Sequence, residues 1–391
     1  MFRIRTYNSI AAAGLAVLPD TQYLVDPKLD PCDAILLRSF KLGSADLTPG
    51  VQAVARCGAG VNNIPVSECT ARGIVVFNTP GANANGVKEL VICGLLLSAR
   101  RIVEGITWAR TLRGADVPAA IEKGKNTFKG PELLGKTLGV IGLGAIGVAV
   151  ANMGRALGMR VLGHDPFISV SSAWGLSREV RRAESLQALL AQSDYITLHA
   201  PLNDKTRDLI GSAEFAIMKH GVRLLNFARG PLVTQSALLT ALAQGRCACY
   251  VTDFVNEELA SHPSVLPVPH LGASTPEAED NCAIMAAHQV MDYLEHGIVT
   301  NSVNFPAVQL PRRPDGYRVQ VVNRNEPSII SQLTTVLADI GLNIDNLVNK
   351  GRGPIAYNVI DVSGPVPSAV RARLRGIQGV THVRCITPDS D

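Results

Sequence analysis

Along the first hundred residues, short continuous apolar runs alternate with breaks at Gly, Pro, Asn or Arg. Residues 34–37 (Ala-Ile-Leu-Leu) and 51–55 (Val-Gln-Ala-Val-Ala) are such runs, ended by Arg38-Ser39 and by Arg56-Cys57-Gly58. Residues 73–77 form another, closed by Asn78-Thr79-Pro80-Gly81. Short apolar runs bounded by turn residues read as buried strands. A helical period then covers about 87–102. From 138 onward the alternation becomes regular. Strands are predicted at 138–141, 160–163, 195–198, 222–227 and 248–252, with helices at 146–157, 185–191, 212–218 and 236–244. Strands spaced by helices in this way need crossover connections, and so predict βαβ units in a parallel sheet.

The pattern changes near residue 300. Pro306, Pro311 and Pro314 fall close together, with Arg312, Arg313 and Asp315 among them, and 306–316 reads as a linker. Beyond it a strand at 318–322 is followed by a helix at 328–340, which Gly341 stops. Strands at 344–348 and 357–362, a helix at 368–376 and a strand at 382–386 complete the order βαββαβ, a ferredoxin-like arrangement. No repeat of fixed period is present.

Composition narrows the function classes. A chain of 391 residues with 47% hydrophobic and 18% charged residues is globular and too long for one core, so two or three domains are expected. Aromatics at 5% and a net charge of +4 without a basic run argue against a nucleic-acid surface. The N-terminal residues carry charge and no spanning apolar run follows, so a cytoplasmic protein is expected. The eight cysteines lack CxxC spacing. Free thiols, and no metal site, are the expectation.

Gly142-Leu143-Gly144-Ala145-Ile146-Gly147 is the strongest local signal. An apolar strand runs into it, a helix starts at once after it, and Asp165 follows the next strand, 23 residues beyond Gly142. The spacing has a physical reading. Gly142 permits the tight turn, Gly144 leaves room for a pyrophosphate on the helix N-terminus, and Gly147 lets helix and strand pack closely. A carboxylate at Asp165 can accept from both ribose hydroxyls and would repel a 2′-phosphate, which favours NAD over NADP. Reducing a ketone by hydride transfer leaves an alkoxide that needs a proton, so the chemistry requires an acid/base. Two of the eight histidines, His199 and His270, sit where strands should end, and position alone does not choose between them. Arg229, just past the 222–227 strand, could polarise a carbonyl and hold a carboxylate.

Several segments together resemble the D-isomer-specific 2-hydroxyacid dehydrogenase family. They are Arg38-Ser39, residues 56–63 (Arg-Cys-Gly-Ala-Gly-Val-Asn-Asn), 78–83 (Asn-Thr-Pro-Gly-Ala-Asn), Lys136-Thr137-Leu138-Gly139, 226–230 (Asn-Phe-Ala-Arg-Gly) and 269–275 (Pro-His-Leu-Gly-Ala-Ser-Thr). The closest likeness is to members that act on 3-phospho-D-glycerate and carry a C-terminal ACT domain. The resemblance implies an α/β fold with a Rossmann-like NAD-binding domain (96–285) inserted in a flavodoxin-like substrate domain (1–95 and 286–305). The 306–316 linker and an ACT-like unit at 317–391 follow.

The resemblance also implies roles. His270 becomes the acid/base and Arg229 the substrate arginine. The carboxylate that pairs with the histidine falls at Glu258 or Glu257, depending on the count through Asp253-Phe254-Val255-Asn256. Cofactor contacts would include Gly142, Gly144, Ala145, Ile146, Gly147, Asp165, His199, Ala200, Pro201, Ala228, Asp253 and Gly272. Gly58, Ala59 and Gly60 resemble a carboxylate cradle, Asn83 and Ser39 substrate contacts, and Arg38 with Arg56 the cations for a phosphate. Asn325 and Asn343 match a serine effector motif. Lys88 stands where relatives often carry a small residue.

The implied activity is NAD-dependent oxidation of 3-phospho-D-glycerate to 3-phosphohydroxypyruvate, opening L-serine biosynthesis, in a homodimer or homotetramer. Reduction of other 2-oxo acids such as 2-oxoglutarate is the alternative within the same pocket. An NAD-sensing regulatory protein without turnover is the alternative of another class.

Overall fold

The computed structural model describes residues 1–388. The chain divides into two units, Asn83–Ala278 and the remainder, Met1–Ala82 with Glu279 onward. The family resemblance implied a domain at 96–285. In the structure the helix Ala84–Arg100 already belongs to the central unit. Its buried face explains why: Val91 and Leu95 join a core with Val140, Leu225 and Val251. At Gly94 a Cβ would stand only 3.2 Å from the side chains of Leu225, Phe227 and Val251.

In the first unit, strands β1 (Phe2–Tyr7), β2 (Tyr23–Val25), β3 (Ala34–Leu37), β4 (Ala53–Arg56) and β5 (Val75–Phe77) form a parallel sheet of order β2-β1-β3-β4-β5. That is the flavodoxin-like order. β3, β4 and β5 are buried on both faces apart from the half-buried Arg56 that ends β4, so their sequences read as continuous apolar runs. β1 escapes the apolar signal because Arg3 and Arg5 interrupt it. Arg5 is nonetheless buried, its Nε donating to the Leu29 carbonyl at 2.5 Å.

The central unit carries β6 (Thr137–Ile141), β7 (Arg160–His164), β8 (Arg181–Arg182), β9 (Tyr195–Leu198), β10 (Val222–Asn226), β11 (Cys247–Thr252) and β12 (Val265–Pro267). All pair in parallel in the order β12-β11-β10-β9-β6-β7-β8. Counting from β6, this is the doubly wound Rossmann order with one further strand. Its topological switch point lies between β6 and β9, where such sheets bind ligands beyond their strand C-termini.

The last four strands, β13 (Tyr317–Arg324), β14 (Ile344–Arg352), β15 (Ile355–Val362) and β16 (Val380–Ile386), form an antiparallel sheet ordered β14-β15-β13-β16. With the helices Ile329–Ala338 and Ser368–Arg375 they make the ferredoxin-like βαββαβ unit. Both faces of this sheet are used. Val319, Val321 and Ile360 pack under the two helices with Leu333 and Leu374. Val322, Tyr357 and Val359 share a core with Tyr293, Phe305 and β-sheet residues of the flavodoxin-like layer.

The proline-rich segment before the sheet is held in place. Val308 bridges Val299. Arg318, with a side chain 0% exposed, forks onto Asp361 at 2.6 and 3.0 Å and donates to the carbonyls of His296, Leu310 and Pro311. A buried guanidinium is tolerable only when its donors are met in this way. Arg384 on β16 adds bonds to Gln320, to Gln52 and to the Tyr293 carbonyl. Among the described residues no helix is long and apolar enough to cross a membrane.

Candidate active site

The glycine loop follows β6 directly. Gly142 adopts φ +89°, and a Cβ there would lie 2.7 Å from the carbonyl carbon of His199. The close approach joins the ends of β6 and β9, the two strands of the switch point. A Cβ on Gly147 would come within 1.9 Å of the Gly142 carbonyl oxygen, so the helix Ala145–Ala156 can sit this close to the loop only with glycine there. A Cβ on Gly144, by contrast, would meet nothing within 4 Å. The helix N-terminus at Gly144 has no side-chain cap, so its N–H groups face this open space.

Asp165 accepts from Leu143 N and from Phe167 N, both at 2.8 Å. It therefore braces the glycine loop and still has a free lone pair on each oxygen. Leu143, Asp165, Ile168, Leu176 and Val180 border a cavity of about 330 Å³, with Arg181 and Arg182 at its side. Apolar walls beside a carboxylate suit the adenosine end of a dinucleotide.

Three neighbouring strands, β10, β11 and β12, are each followed closely by an ionisable side chain. Arg229 comes three residues after β10, Asp253 immediately after β11, and His270 three residues after β12. His270 Nδ1 lies 2.9 Å from Asp253 Oδ2. The Asp253 side chain is 2% exposed and that of His270 is 62% exposed. The hydrogen bond that His270 donates to Asp253 raises the His270 pKa, while partial burial and the nearby Arg229 guanidinium pull it down, leaving it above the ordinary value. The Phe254 ring packs edge-on against the imidazole at 5.1 Å.

His199 is placed differently. Its Nε2 is bonded to Thr197 at 2.9 Å, and burial pushes its pKa down to about 4, so it stays neutral near pH 7. Of the two histidines, His270 is the one that meets a carboxylate and keeps a largely exposed side chain. Ala200 follows in the same switch-point turn, its backbone N also close to Gly142, and Pro201 accepts from Thr206.

The carboxylate on the imidazole is Asp253, and neither Glu257 nor Glu258 takes that position. Asn256 caps the helix Glu257–Ser261 by accepting from Leu259 N, which fixes that short helix. Glu258 then accepts from Gln235 at 2.7 Å, and both glutamates are exposed. Asp253 was expected only as a cofactor contact. Its second oxygen, Oδ1, is buried and has no hydrogen-bond partner. Such a group needs a donor, and a carboxamide from a bound nicotinamide would supply one.

Two supports were not visible as site residues in the sequence. Asn226, fully buried, accepts from Ala228 N and Arg229 N and donates to the Arg229 carbonyl, which sets the turn that presents Arg229. Gly86 lies against the Gly272 carbonyl, where a Cβ would stand at 2.9 Å, so the start of the helix Ala84–Arg100 supports the loop bearing His270. The Asn sits inside the 226–230 motif and could have been singled out there; Gly86 had no local signal. Asn83 precedes that helix with its side-chain oxygen buried and unpartnered, and Lys88 bonds Asn85 at 2.5 Å.

In the first unit the expected anion-binding residues are engaged within the protein. Arg56 donates through Nε to the Arg38 carbonyl and through Nη1 to the Gly60 carbonyl at 2.6 Å, shaping the Gly58-Ala59-Gly60 turn. Asn78 supports the same turn through the Ala59 carbonyl. Arg38 is ion-paired with Glu279 at 2.7 Å. Ser39 N donates to Asn8, a residue the sequence pattern did not single out. In the C-terminal unit, Asn325 and Asn343 lie at opposite ends of the helix Ile329–Ala338.

Residues 93–272 match the family model described as D-isomer specific 2-hydroxyacid dehydrogenase, NAD binding domain. The chain carries the NAD-binding domain of the D-isomer specific 2-hydroxyacid dehydrogenase family. The domain's relatives include D-3-phosphoglycerate dehydrogenase of Rattus norvegicus, 36% identical over 295 residues, a match that covers 72% of this chain and 52% of the relative. The chain thus spans about half the length of the curated relatives it matches. Among solved structures, a glyoxylate reductase from Paecilomyes thermophila is 28% identical with a TM-score of 0.64, covering 77% of this chain and 98% of that one. The cofactor(NAD+)-bound 3-phosphoglycerate dehydrogenase of Entamoeba histolytica is 25% identical with a TM-score of 0.59, covering 78% and 98%. The NAD-binding domain of the family accounts for the glycine loop, for Asp165 and for the Rossmann strand order.

Proposed function

We propose that this chain is an NAD-dependent dehydrogenase that oxidises 3-phospho-D-glycerate to 3-phosphohydroxypyruvate. One observation carries the reading: the 2.9 Å contact between His270 and the buried Asp253, beside Arg229 and beyond adjacent strand ends. Gly142, Gly144, Gly147 and Asp165 would hold NAD, which supplies a hydride acceptor when bound. His270, its side chain largely exposed and its Nδ1 backed by Asp253, takes the proton of the substrate hydroxyl as the C–H bond at the same carbon breaks. Asp253 stabilises the imidazolium so formed and keeps the ring oriented. Arg229 pairs with the substrate carboxylate and polarises the nascent carbonyl. In the reverse direction His270 returns the proton. Arg38, Arg56 and the Gly58–Gly60 turn are the phosphate and carboxylate candidates of the first unit.

A second reading is reduction of a non-phosphorylated 2-oxo acid. It draws on the engagement of Arg38 by Glu279 and of Arg56 by main-chain carbonyls. Serine as an effector at Asn325 and Asn343, assembly as a homodimer or homotetramer, and a cytoplasmic location belong to the same proposal. The test is a steady-state assay of NADH absorbance with phosphoglycerate, glycerate and 2-oxoglutarate, with and without L-serine. A kcat/KM for phosphoglycerate no higher than for glycerate sinks the phosphate assignment. No NADH change with any substrate would leave dinucleotide sensing without turnover as the better account.

A further inference from the structure

The seven-stranded sheet has a second cavity, at the end opposite the glycine loop. Thr137 and Arg160, the first residues of β6 and β7, line it. Gly142 and Asp165 follow the other ends of the same strands, and five residues of strand put roughly 16 Å between the two ends. The cavity has a volume of about 630 Å³. Five of its lining residues are cationic, Arg155, Arg160, Arg178, Arg181 and Lys219, against the single carboxylate of Glu179.

Two of the five are neutralised locally. Arg155 pairs with Glu179 at 2.6 Å and Lys219 with Asp194 at 2.9 Å. Arg160, Arg178 and Arg181 have no ion pair or side-chain hydrogen bond among the described residues. Arg181 also borders the cavity beside Asp165, which Arg160 and Arg178 do not line.

Guanidinium groups with no partner on a convex surface are simply solvated. Around one concavity they repel each other and raise the local potential, which an anion relieves. Each presents a fork of donors matched to phosphate oxygens. A volume of this size lies within the range of small-molecule sites, and it exceeds what one phosphate needs. We infer that the cavity lined by Arg160, Arg178 and Arg181, at the N-terminal edge of the parallel sheet, binds a small anion carrying two or more phosphate groups. It shares Arg181 with the cavity beside Asp165, is set apart from it by Arg160 and Arg178, and does not depend on the proposed substrate.

The test is isothermal titration of the full chain with inorganic tripolyphosphate. The expected result is saturable binding at one site per chain. Arg160→Ala combined with Arg178→Ala should weaken it at least about tenfold, since two charge-assisted contacts are lost. Gly144→Val, which fills the glycine loop, should leave it unchanged. Circular dichroism checks that each variant is folded. No saturable heat with the wild-type chain overturns the inference, as does equal affinity in the double variant. Loss of binding in Gly144→Val alone would mean that the anion sits in the glycine loop. Tighter binding of a single-stranded RNA oligonucleotide than of tripolyphosphate, lost in the double variant, would replace a small-molecule site with a nucleic-acid surface.

Discussion

Replacing Asp253 by Asn tests the site most directly, because it keeps the shape of the side chain and removes only the charge. The imidazolium of His270 then loses an ionic hydrogen bond at 2.9 Å. A hydrogen bond to a charged group contributes about 1.5–3 kcal/mol, and solvent screening of the 62%-exposed imidazole argues for the lower end or below, about 1 kcal/mol. Oxidation needs neutral His270. The alkaline-rising limb of kcat/KM should therefore lie at the raised pKa in the wild type and move to lower pH in Asp253→Asn. On the high-pH plateau, kcat should still fall, by roughly tenfold to a hundredfold, because the ring is less well held and the imidazolium formed in the step is less stable.

Folding stability supplies a second readout with a definite sign. The folded-state pKa of His270 is raised, so the pair stabilises the protein fully below the unfolded value of about 6.5, and that contribution is lost as pH rises through the folded value. The stability deficit of Asp253→Asn should be about 1 kcal/mol at a pH below the unfolded value and should fade at a pH above the raised folded value. Urea melts at both pH values, with pH–rate profiles, measure the two effects. Glu258→Gln, altering a carboxylate bonded to Gln235, should move neither. A profile displaced by Glu258→Gln and untouched by Asp253→Asn would refute the assignment of Asp253.

Other perturbations test the surrounding architecture. Gly147→Val forces the helix Ala145–Ala156 off the Gly142 carbonyl and should abolish NADH binding, seen by fluorescence, while costing about 1–3 kcal/mol in denaturant melts. Asp165→Ala removes both the ribose acceptor and the brace on Leu143 N, and should weaken NAD while narrowing its advantage over NADP; an unchanged preference means another residue reads the ribose. Arg38→Ala should raise the KM for phosphoglycerate with little effect on glycerate, and equal effects on both would remove Arg38 from phosphate recognition. Arg318→Met leaves Asp361 and three carbonyls without their donor, so a loss of about 3–5 kcal/mol is expected by chemical denaturation.

Local order was legible wherever it rests on near neighbours in the chain. Apolar runs at 34–37, 138–141 and 195–198 became strands because both their faces are buried, and the helical periods between them became the crossovers of a parallel sheet. The glycine spacing at 142–147 encoded a turn, an opening and a close approach, all within a few residues. β1 stayed hidden because Arg3 and Arg5 break its apolar run, and the buried Arg5 finds its acceptor at Leu29, far away in sequence. β8 and β12 are too short to show a period.

By itself, then, the sequence determined the fold class, the dinucleotide loop and a short list of ionisable groups at strand ends, since periodicity and backbone conformation are properties of neighbouring residues. Tertiary structure alone decided which of those groups meet. It left His199 neutral against Thr197, brought His270 to Asp253 across two strands, turned Glu258 toward Gln235, and paired Arg38 with Glu279. A side chain's partner and its charge depend on burial and on groups many residues away, and no local pattern carries that information.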